Sequence, residues 1–255
     1  MLYYWQPQST VAHDLALDEA LLTHMTDSTP VADTGCSADA TADDCLRIWE
    51  PKLHHVVIGR SSRVQDEVRL DCCQREEISV FRRISGGAAI LTGPGCLLYS
   101  VVLNRHRHPQ LATLPEIHQF VLQRMATALR RLVPSVAIAG TSDLVLQSPD
   151  GRLRKFSGNS LRVTRSAVLY HGTLLIDFDT DLIGCYLKEP PRQPDYRQRR
   201  QHRDFVTCLS CSMSDVQMAL REAWSPLLRC DVTPDIRQAV DELIVSRYGC
   251  EEWNR

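Results

Sequence analysis

The sequence has no hydrophobic run long enough to cross a membrane, since no stretch of about 18 consecutive apolar residues occurs in it. Its first residues, MLYYWQPQST, lack the charged segment followed by an apolar segment that marks a secretory signal. Neither sign of charge dominates, because 29 basic residues face 31 acidic ones and the formal net charge is −2. These absences lead us to expect a cytoplasmic protein that binds neither membranes nor nucleic acid.

Cysteine is abundant, but the sequence lacks the spacing of a metal site. Among the ten cysteines, Cys208 and Cys211 form the only C-x-x-C pair. Neither a second pair nor suitably spaced histidines lie near it, and a zinc site needs such additional ligands. A cytoplasmic chain keeps its cysteines as thiols, which pack like small hydrophobic residues. We therefore expect buried or incidental thiols and no zinc site.

The hydrophobic pattern predicts one mixed domain over residues 1–255, because 44% of the residues are hydrophobic and no internal repeat is visible. Helical spacing of apolar residues predicts helices over Val11–Met25 and over LPEIHQFVLQRMATALRRLV, residues 114–133. Two more helices are predicted in residues 212–255, with Ser212 as a cap. Strand patterns occur between them in hairpin-like runs. The sequence thus predicts an α+β fold of largely antiparallel sheets flanked by helices.

Two segments do not fit this regular pattern. Residues 26–45 are small, acidic and almost free of large apolar side chains, so we expect a mobile surface insertion. Residues 190–205, PPRQPDYRQRRQHRDF, contain three prolines and no apolar periodicity, which predicts an irregular, mobile loop. This loop holds five arginines, namely Arg192, Arg197, Arg199, Arg200 and Arg203.

The stretch RRISGGAAILTGPG, residues 82–95, combines two arginines with a backbone that carries few large side chains. A bare backbone can approach an anion closely, and guanidinium groups form charge-assisted hydrogen bonds with phosphate. A tight hairpin between two strands, with solvated arginines, is the alternative interpretation of this stretch taken alone.

This glycine loop and two other stretches together form a family pattern. The others are VVIGRSSRVQDEV, residues 56–68, and RKFSGNSLRVTRSAVLYHGTLL, residues 154–175. Their order and spacing, with GTSDL between them at residues 140–144, resemble the lipoate-protein ligase family of the biotin/lipoate ligase superfamily. The resemblance covers roughly residues 3–210 and implies the catalytic-domain fold of that superfamily.

The resemblance implies a two-step acyl transfer. In the first step lipoate reacts with ATP, in the presence of Mg²⁺, to give lipoyl-adenylate and pyrophosphate. In the second step a lysine of a lipoyl carrier domain takes the acyl group. The implied carriers are the lipoyl domains of 2-oxoacid dehydrogenase complexes or a protein like the glycine cleavage H protein. The residues leave open whether the acid is lipoate, octanoate or a related acid.

The same resemblance implies which residues form the site. Lys155, the only lysine between residues 53 and 187, is expected to bind the acyl carbonyl and the phosphate, although a solvated hairpin lysine is the alternative. Asp143 is expected to help hold magnesium or the adenylate, and capping a turn is its alternative role. The other expected binding residues are Arg82, Arg83, Ser85, Gly86, Gly87, Ala88, Ser157, Gly158, His171, Gly172 and Thr173.

The sequence departs from the family pattern in two places. Ala88 replaces the third glycine of the loop, and Thr92 stands where many ligases have a histidine. The stretch after Cys211 accommodates two helices but not the accessory domain of the common ligases. We therefore expect either a ligase that works without that domain or a separate accessory subunit.

Two other functions remain open at this point. One is a cysteine-dependent octanoyltransferase or lipoyl amidotransferase, which needs a nucleophilic cysteine shortly before the Lys-x-Ser-Gly turn. The chain has no cysteine between Cys96 and Cys185, which leaves only these two as weaker nucleophile candidates. The other is a non-catalytic family member that binds a lipoyl or acyl ligand.

Overall fold

The computed structural model describes residues 1–4, 10–27, 44–225 and 228–255. Its strands are β1 (Leu2–Tyr4), β2 (Cys45–Trp49), β3 (His55–Ile58), β4 (Ser79–Arg82), β5 (Ile90–Thr92), β6 (Cys96–Asn104), β7 (Val136–Ala139), β8 (Asp143–Gln147), β9 (Leu153–Val163), β10 (Ala167–Leu175) and β11 (Leu228–Cys230). Its α-helices are α1 (Val11–Asp27), α2 (Val64–Glu67), α3 (Leu70–Arg75), α4 (Leu114–Arg130), α5 (Asp181–Tyr186), α6 (His202–Phe205), α7 (Met213–Ala223), α8 (Pro234–Leu243) and α9 (Glu251–Asn254).

These strands form two sheets within the described residues. The large sheet has eight strands in the order β11-β1-β2-β6-β10-β9-β8-β7, and the small sheet has the order β4-β3-β5. Strand β1 runs parallel to both of its neighbours, whereas the pairs from β2 to β7 across the large sheet are antiparallel. The structure confirms the predicted mixed fold with helices flanking largely antiparallel sheets.

Alternation along the strands divides the core between the two faces of the large sheet. On β6, Leu97 and Val101 face a cluster that includes α4 and α7, while Val102 faces a cluster that includes α1 and α8. Successive strand residues point to opposite faces, so a strand buried on both sides reads as an apolar run. Each large apolar side chain buried in this way contributes about 1.5–3 kcal/mol to folding.

The helix ends follow the capping signals of the sequence. The Ser212 hydroxyl accepts from the Asp215 amide at 3.1 Å at the start of α7, as predicted. Thr233 caps α8, and that helix continues as a π-helical turn, Ile244–Tyr248. The last 44 residues contain the two expected helices, and the structure adds the short strand β11 and the helix α9.

The structure describes one of the two predicted irregular segments in full and the other only at its ends. Residues 28–43 of the predicted insertion lie outside the described residues. The arginine-rich segment belongs to residues 188–206, called the strap below, which contain a 3₁₀ turn and α6. Arg197 in this turn is only 3% exposed and pairs with Glu189, so this arginine of the predicted irregular loop is buried. Within the described residues, no helix is both long and apolar enough to span a bilayer.

Candidate active site

A cavity of about 270 Å³ lies where residues of both sheets, α1 and the strap approach one another. Most of the predicted site residues line it, namely Arg83, Gly87, Ala88, Asp143, Lys155, Ser157, Gly158, His171, Gly172 and Thr173. Thr92, the family-pattern departure, also lines it and is buried. The fold therefore assembles the three separated sequence motifs around one cavity.

Lys155 and Asp143 form an ion pair in this cavity. The Lys155 Nζ lies 2.7 Å from Asp143 Oδ1, and the lysine side chain is 29% exposed against 9% for the aspartate. The register of β8 and β9 shifts here, since Val145 pairs with Lys155 while Leu144 pairs with Ser157. A bulge of this kind re-aims neighbouring side chains. It leaves Lys155 at the cavity wall with one face open to solvent.

Two glycines of the motifs make room for polar side chains. A Cβ on Gly158 would lie 2.9 Å from both Cε and Nζ of Lys155. A Cβ on Gly172 would lie 1.8 Å from Asn159 Oδ1. Contacts this short do not occur between real atoms, so any larger residue would displace Lys155 or Asn159. The Ser-Gly and His-Gly dipeptides thus have a steric reason in the positions of these two side chains.

Asn159 is a site residue that the sequence reasoning missed. Its Oδ1 accepts from the Tyr99 hydroxyl at 2.5 Å, and its Nδ2 donates to the Ser142 carbonyl at 2.7 Å. Bonds on both ends of the amide fix its orientation. The signal was present in the sequence, because Asn159 directly follows the Ser-Gly turn of the lysine motif.

His171 is held in a buried polar network. Its Nδ1 lies 3.0 Å from Asp18 Oδ2 and its Nε2 lies 2.5 Å from the Ser85 hydroxyl. In the neutral tautomer that donates to Asp18, Nε2 accepts from Ser85. Burial raises the pKa of Asp18, but the Arg47 charge and bonds from His171 and Ser100 outweigh it and lower that pKa overall. The imidazole is thereby fixed at the cavity wall.

Ser85 and Gly86 belong to the glycine loop but lie outside the cavity lining. Ser85 is fully buried and, like Gly86, does not line the cavity. The Gly86 carbonyl accepts from Ser160 Oγ at 2.8 Å. Ser85 is buried whereas Gly86 is exposed, and the expectation that both contact the substrate stays a prediction.

The Arg83 guanidinium supports the glycine loop through several backbone carbonyls. It donates to the Val57 and Ala88 carbonyls, each at 3.0 Å, and also to Gly86. Burial lowers the pKa of Arg83 to about 10. Gly87 in the same loop has a φ of +87°, which favours glycine. Arg83 also lines the cavity, and its expected contact with phosphate stays a prediction.

Arg82 lies outside the cavity lining, and its expected contact with phosphate stays a prediction. Its guanidinium donates to the Ser62 and Trp253 carbonyls, both at 2.7 Å, and to Gly59 at 3.0 Å. The Trp253 indole donates back to the Arg82 carbonyl at 2.9 Å. Arg82 therefore anchors α9 to the end of β3, next to the glycine loop.

We expect Arg82→Met to loosen α9 and the segment after β3. Several buried carbonyls lose their donor, and each unsatisfied group costs about 1–3 kcal/mol. Hydrogen exchange should become faster in residues 59–62 and 250–255, and the melting temperature should fall. Arg60→Met is the matched control, because the Arg60 side chain is exposed. Equal melting temperatures and exchange rates for the two variants would show that the anchor is unimportant.

No cysteine lines the cavity within the described residues. Cys96 is completely buried, and burial raises its pKa well above the usual thiol value. Cys185 is exposed on α5 and also lies outside the lining. Since the thiolate is the nucleophile, neither residue is prepared for attack on an acyl group in this cavity.

The model of the lipoyl protein ligase A/B catalytic domain family matches residues 10–224. The chain belongs to this family, as its motifs indicated.

Two curated relatives show how the family divides. A lipoate-protein ligase A of Blochmanniella pennsylvanica is 28% identical over 60% of this chain, which covers 41% of that relative's length. The octanoyltransferase LipM of Halalkalibacterium halodurans is 22% identical over 95% of this chain and 94% of its own. The family thus contains both a ligase and a transferase similar to this chain.

Solved structures share the fold. A bi-partite lipoate protein ligase, solved in a study with its E2 lipoyl domain from Thermoplasma acidophilum, has a TM-score of 0.80 at 23% identity, covering 99% of this chain and 95% of that chain. A T. acidophilum protein with bound lipoic acid has a TM-score of 0.76 at 22% identity, covering 99% and 97%. A lipoate-protein ligase A bound with ATP has a TM-score of 0.75 at 23% identity, with the same coverage. At these identities the likeness defines the fold alone.

Proposed function

We propose that this chain is an ATP-dependent lipoate-protein ligase that forms an acyl-adenylate from lipoate or octanoate and transfers the acyl group to a carrier lysine. The observation that carries the proposal is the Lys155–Asp143 pair, at 2.7 Å, in a cavity whose lining contains no cysteine among the described residues. We further propose that residues 1–255 work as one catalytic domain in the cytoplasm.

In the first step a carboxylate oxygen of the acid bonds to the α-phosphorus of ATP, and the bond to the departing pyrophosphate breaks. We propose that the Lys155 ammonium donates to the acyl carbonyl and to a phosphate oxygen, where charge grows in the transition state. Asp143 holds the ammonium in position. In the second step the carrier amine attacks the acyl carbon, AMP leaves, and the amine loses a proton.

Magnesium enters this scheme with ATP as part of the substrate. Mg²⁺ often binds through one or two carboxylates together with substrate phosphates. Asp143 supplies one carboxylate at the cavity, and both of its oxygens already accept bonds, from Lys155 and Tyr196. No group of three metal-binding side chains occurs in the described part of the chain. These residues fit a metal that phosphate oxygens largely hold.

The remaining lining residues of the motifs are proposed to bind the substrates. They are Gly87 and Ala88 of the glycine loop, Ser157 and Gly158 of β9, and His171, Gly172 and Thr173 of β10. The relatives solved with lipoic acid and with ATP support a cavity for both ligands.

The proposed partner is an acidic lipoyl carrier domain, from a 2-oxoacid dehydrogenase complex or a protein like the glycine cleavage H protein. The relative studied with its E2 lipoyl domain supports this class of partner, and its bi-partite nature supports a separate accessory subunit. On the strap, Arg199 and Arg203 are exposed beside the cavity wall. They are free to attract acidic groups on a carrier.

We expect Arg199→Glu/Arg203→Glu to lower kcat/KM for the carrier by about tenfold at low salt, with adenylate formation unchanged. The loss should shrink as salt rises, because the Debye length falls to about 10 Å at 0.1 M. Arg200 is left intact, since it donates to the Tyr196 carbonyl at 2.9 Å. Arg229→Glu/Arg237→Glu, on β11 and α8, is the control of equal charge. Unchanged carrier kinetics in the strap variant would exclude this docking role.

The second candidate function is a cysteine-dependent octanoyltransferase, which the similarity to LipM over 95% of this chain favours. It predicts a covalent thioester and no need for ATP. The two functions therefore differ in whether a cysteine is needed for turnover.

Cys96→Ala/Cys185→Ser should retain turnover within a few fold of wild type, because neither thiol lines the cavity. The measurement is carrier lipoylation by mass spectrometry, with circular dichroism as the check on folding. A folded variant without activity, or an acyl thioester trapped on either residue, would instead identify a transferase.

One incubation series tests the proposed function. Apo carrier domain is mixed with enzyme and either lipoate plus ATP or octanoyl carrier protein without ATP, and the carrier mass is measured. A ligase modifies the carrier only in the first mixture and a transferase only in the second. No modification in either mixture, with and without candidate accessory subunits, would indicate a binding protein.

A further inference from the structure

The strap touches the Lys155–Asp143 pair through a residue that does not itself line the cavity. The Tyr196 hydroxyl donates to Asp143 Oδ2 at 2.7 Å, while Asp143 Oδ1 lies 2.7 Å from Lys155 Nζ. Tyr196 is absent from the cavity lining, whereas Pro194 and Arg197 on either side of it line the cavity. The Tyr196 hydroxyl thus contacts Asp143 without lining the cavity, and it joins the strap to β8.

Packing fixes the Tyr196 ring at this position. Its ring lies 5.2 Å from that of Phe205, and a Cβ on Gly140 would lie 3.2 Å from Tyr196 Cε1. Arg197 pairs with Glu189, and Arg197 also lies 4.8 Å over the Phe205 ring. The strap is also bonded to β9, where Arg154 donates to the Val206 carbonyl at 2.8 Å. The Tyr196 hydroxyl adds a direct bond from the strap to Asp143 of the predicted chemical site.

The hydroxyl acts as a donor throughout the working pH range. Burial first, and then the nearby Asp143 charge, raise the pKa of Tyr196 well above its usual value. A phenol that stays protonated donates to the carboxylate and takes no part as an acid or base. Without it, one oxygen of a carboxylate that is only 9% exposed loses its donor. That loss has a cost, because hydrogen bonds to charged groups are stronger than those between neutral groups.

We propose that Tyr196 is a positioning residue that links closure of the strap to the Lys155–Asp143 pair, so that the acyl-adenylate is retained until the carrier accepts it. The proposal rests on the proposed ligase function. Opening of the strap breaks the Tyr196–Asp143 bond and removes the wall formed by residues such as Pro194 and Arg197. The same motion releases Asp143 from one of its two partners.

The functional test is pyrophosphate release with lipoate and ATP but no carrier. The wild type should release one equivalent in a burst and then slow, because the retained adenylate blocks further turnover. Tyr196→Phe should keep the burst but raise the later rate about tenfold, since it loses one hydrogen bond to a charged group. Tyr186→Phe is the control, because Tyr186 is half-buried at the end of α5 and does not line the cavity.

The outcomes separate the two proposals. A wild type that releases no pyrophosphate contradicts the ligase function itself. If the wild type shows a burst and a folded Tyr196→Phe has the same later rate, only the proposed positioning role of Tyr196 is overturned. A Tyr196→Phe variant without a burst also overturns it, because the residue would then act in adenylation and not in retention.

Hydrogen exchange over residues 190–206 tests the link between Tyr196 and Asp143 without turnover. Tyr196→Phe and Asp143→Ala should each speed exchange of this segment about tenfold, and the double variant should be no faster than either single variant. Additive effects would show that Tyr196 does not act through Asp143. In the wild type, a non-hydrolysable acyl-adenylate analogue should slow exchange of the same segment, and unchanged exchange would overturn the proposal even if the variants unfold.

Discussion

Lys155→Ala is expected to lower lipoate-dependent pyrophosphate exchange at least about a hundredfold, the usual result of losing one preorganised contact to a transition state. The variant removes the ammonium that Asp143 holds at 2.7 Å and leaves the carboxylate with its bond from Tyr196. The measurement is exchange of labelled pyrophosphate into ATP, compared with binding of ATP and lipoate by calorimetry. Because the contact forms in the transition state, we expect binding to weaken less than exchange.

Lys52→Ala is the matched control, since Lys52 is exposed and lies outside the cavity lining. It should retain exchange close to wild type. A folded Lys155→Ala with exchange within a few fold of wild type would remove Lys155 from the mechanism. In that case its pairing with Asp143 would be a structural ion pair only.

Arg47→Met is expected to destabilise the protein by about 3–5 kcal/mol, because it leaves buried carboxylates without their counter-charge. Arg47 on β2 is 4% exposed, donates to Asp14 at 2.8 Å and also contacts Asp18. For a chain of this length, the loss corresponds to a fall of roughly 6–20 °C in melting temperature. Arg75→Met is the control, because the Arg75–Glu76 pair is exposed and such pairs contribute about 0–1 kcal/mol.

The stability difference between wild type and Arg47→Met should depend on pH. The folded-state pKa of Asp18 is lowered, so the stability it contributes is present above the unfolded carboxyl pKa of about 3.9 and is lost as pH falls through the folded value. The variant and wild type should therefore approach each other below about pH 4. Urea unfolding at several pH values measures this. A difference that is small at neutral pH, or that grows in acid, would contradict the assigned network.

Local signals in the sequence predicted the elements but not all of the contacts between them. The helix cap at Ser212, the amphipathic α4 and the strands around the glycine loop follow from short-range patterns, and the structure confirms them. The contact between Arg82 and Trp253 was not predicted, because the two residues lie 171 positions apart in the sequence. A guanidinium next to glycines has the same sequence signature whether it binds phosphate or backbone carbonyls.

In the candidate site, too, the sequence predicted some residues but not all of the contacts between them. The motif lysine and the Gly-x-x-Asp-Leu aspartate were identified in the sequence, and the fold brings them together. In the sequence, by contrast, Asp18 is only one polar residue of a helical pattern. In the fold it contacts Arg47 from β2 and His171 from β10. Tyr196 likewise depends on how an irregular, proline-rich segment folds back over β8. Such contacts depend on tertiary packing, which periodicity does not encode.

The most direct test of the account uses lipoate or octanoate labelled with ¹⁸O in both carboxylate oxygens. Adenylation joins a carboxylate oxygen to phosphorus, and acyl transfer then leaves that oxygen on AMP. The wild-type enzyme, given the labelled acid, ATP and apo carrier, should produce AMP with one ¹⁸O for every carrier lipoylated. Carrier modification without labelled AMP would contradict an adenylate intermediate and identify a different acyl-transfer route.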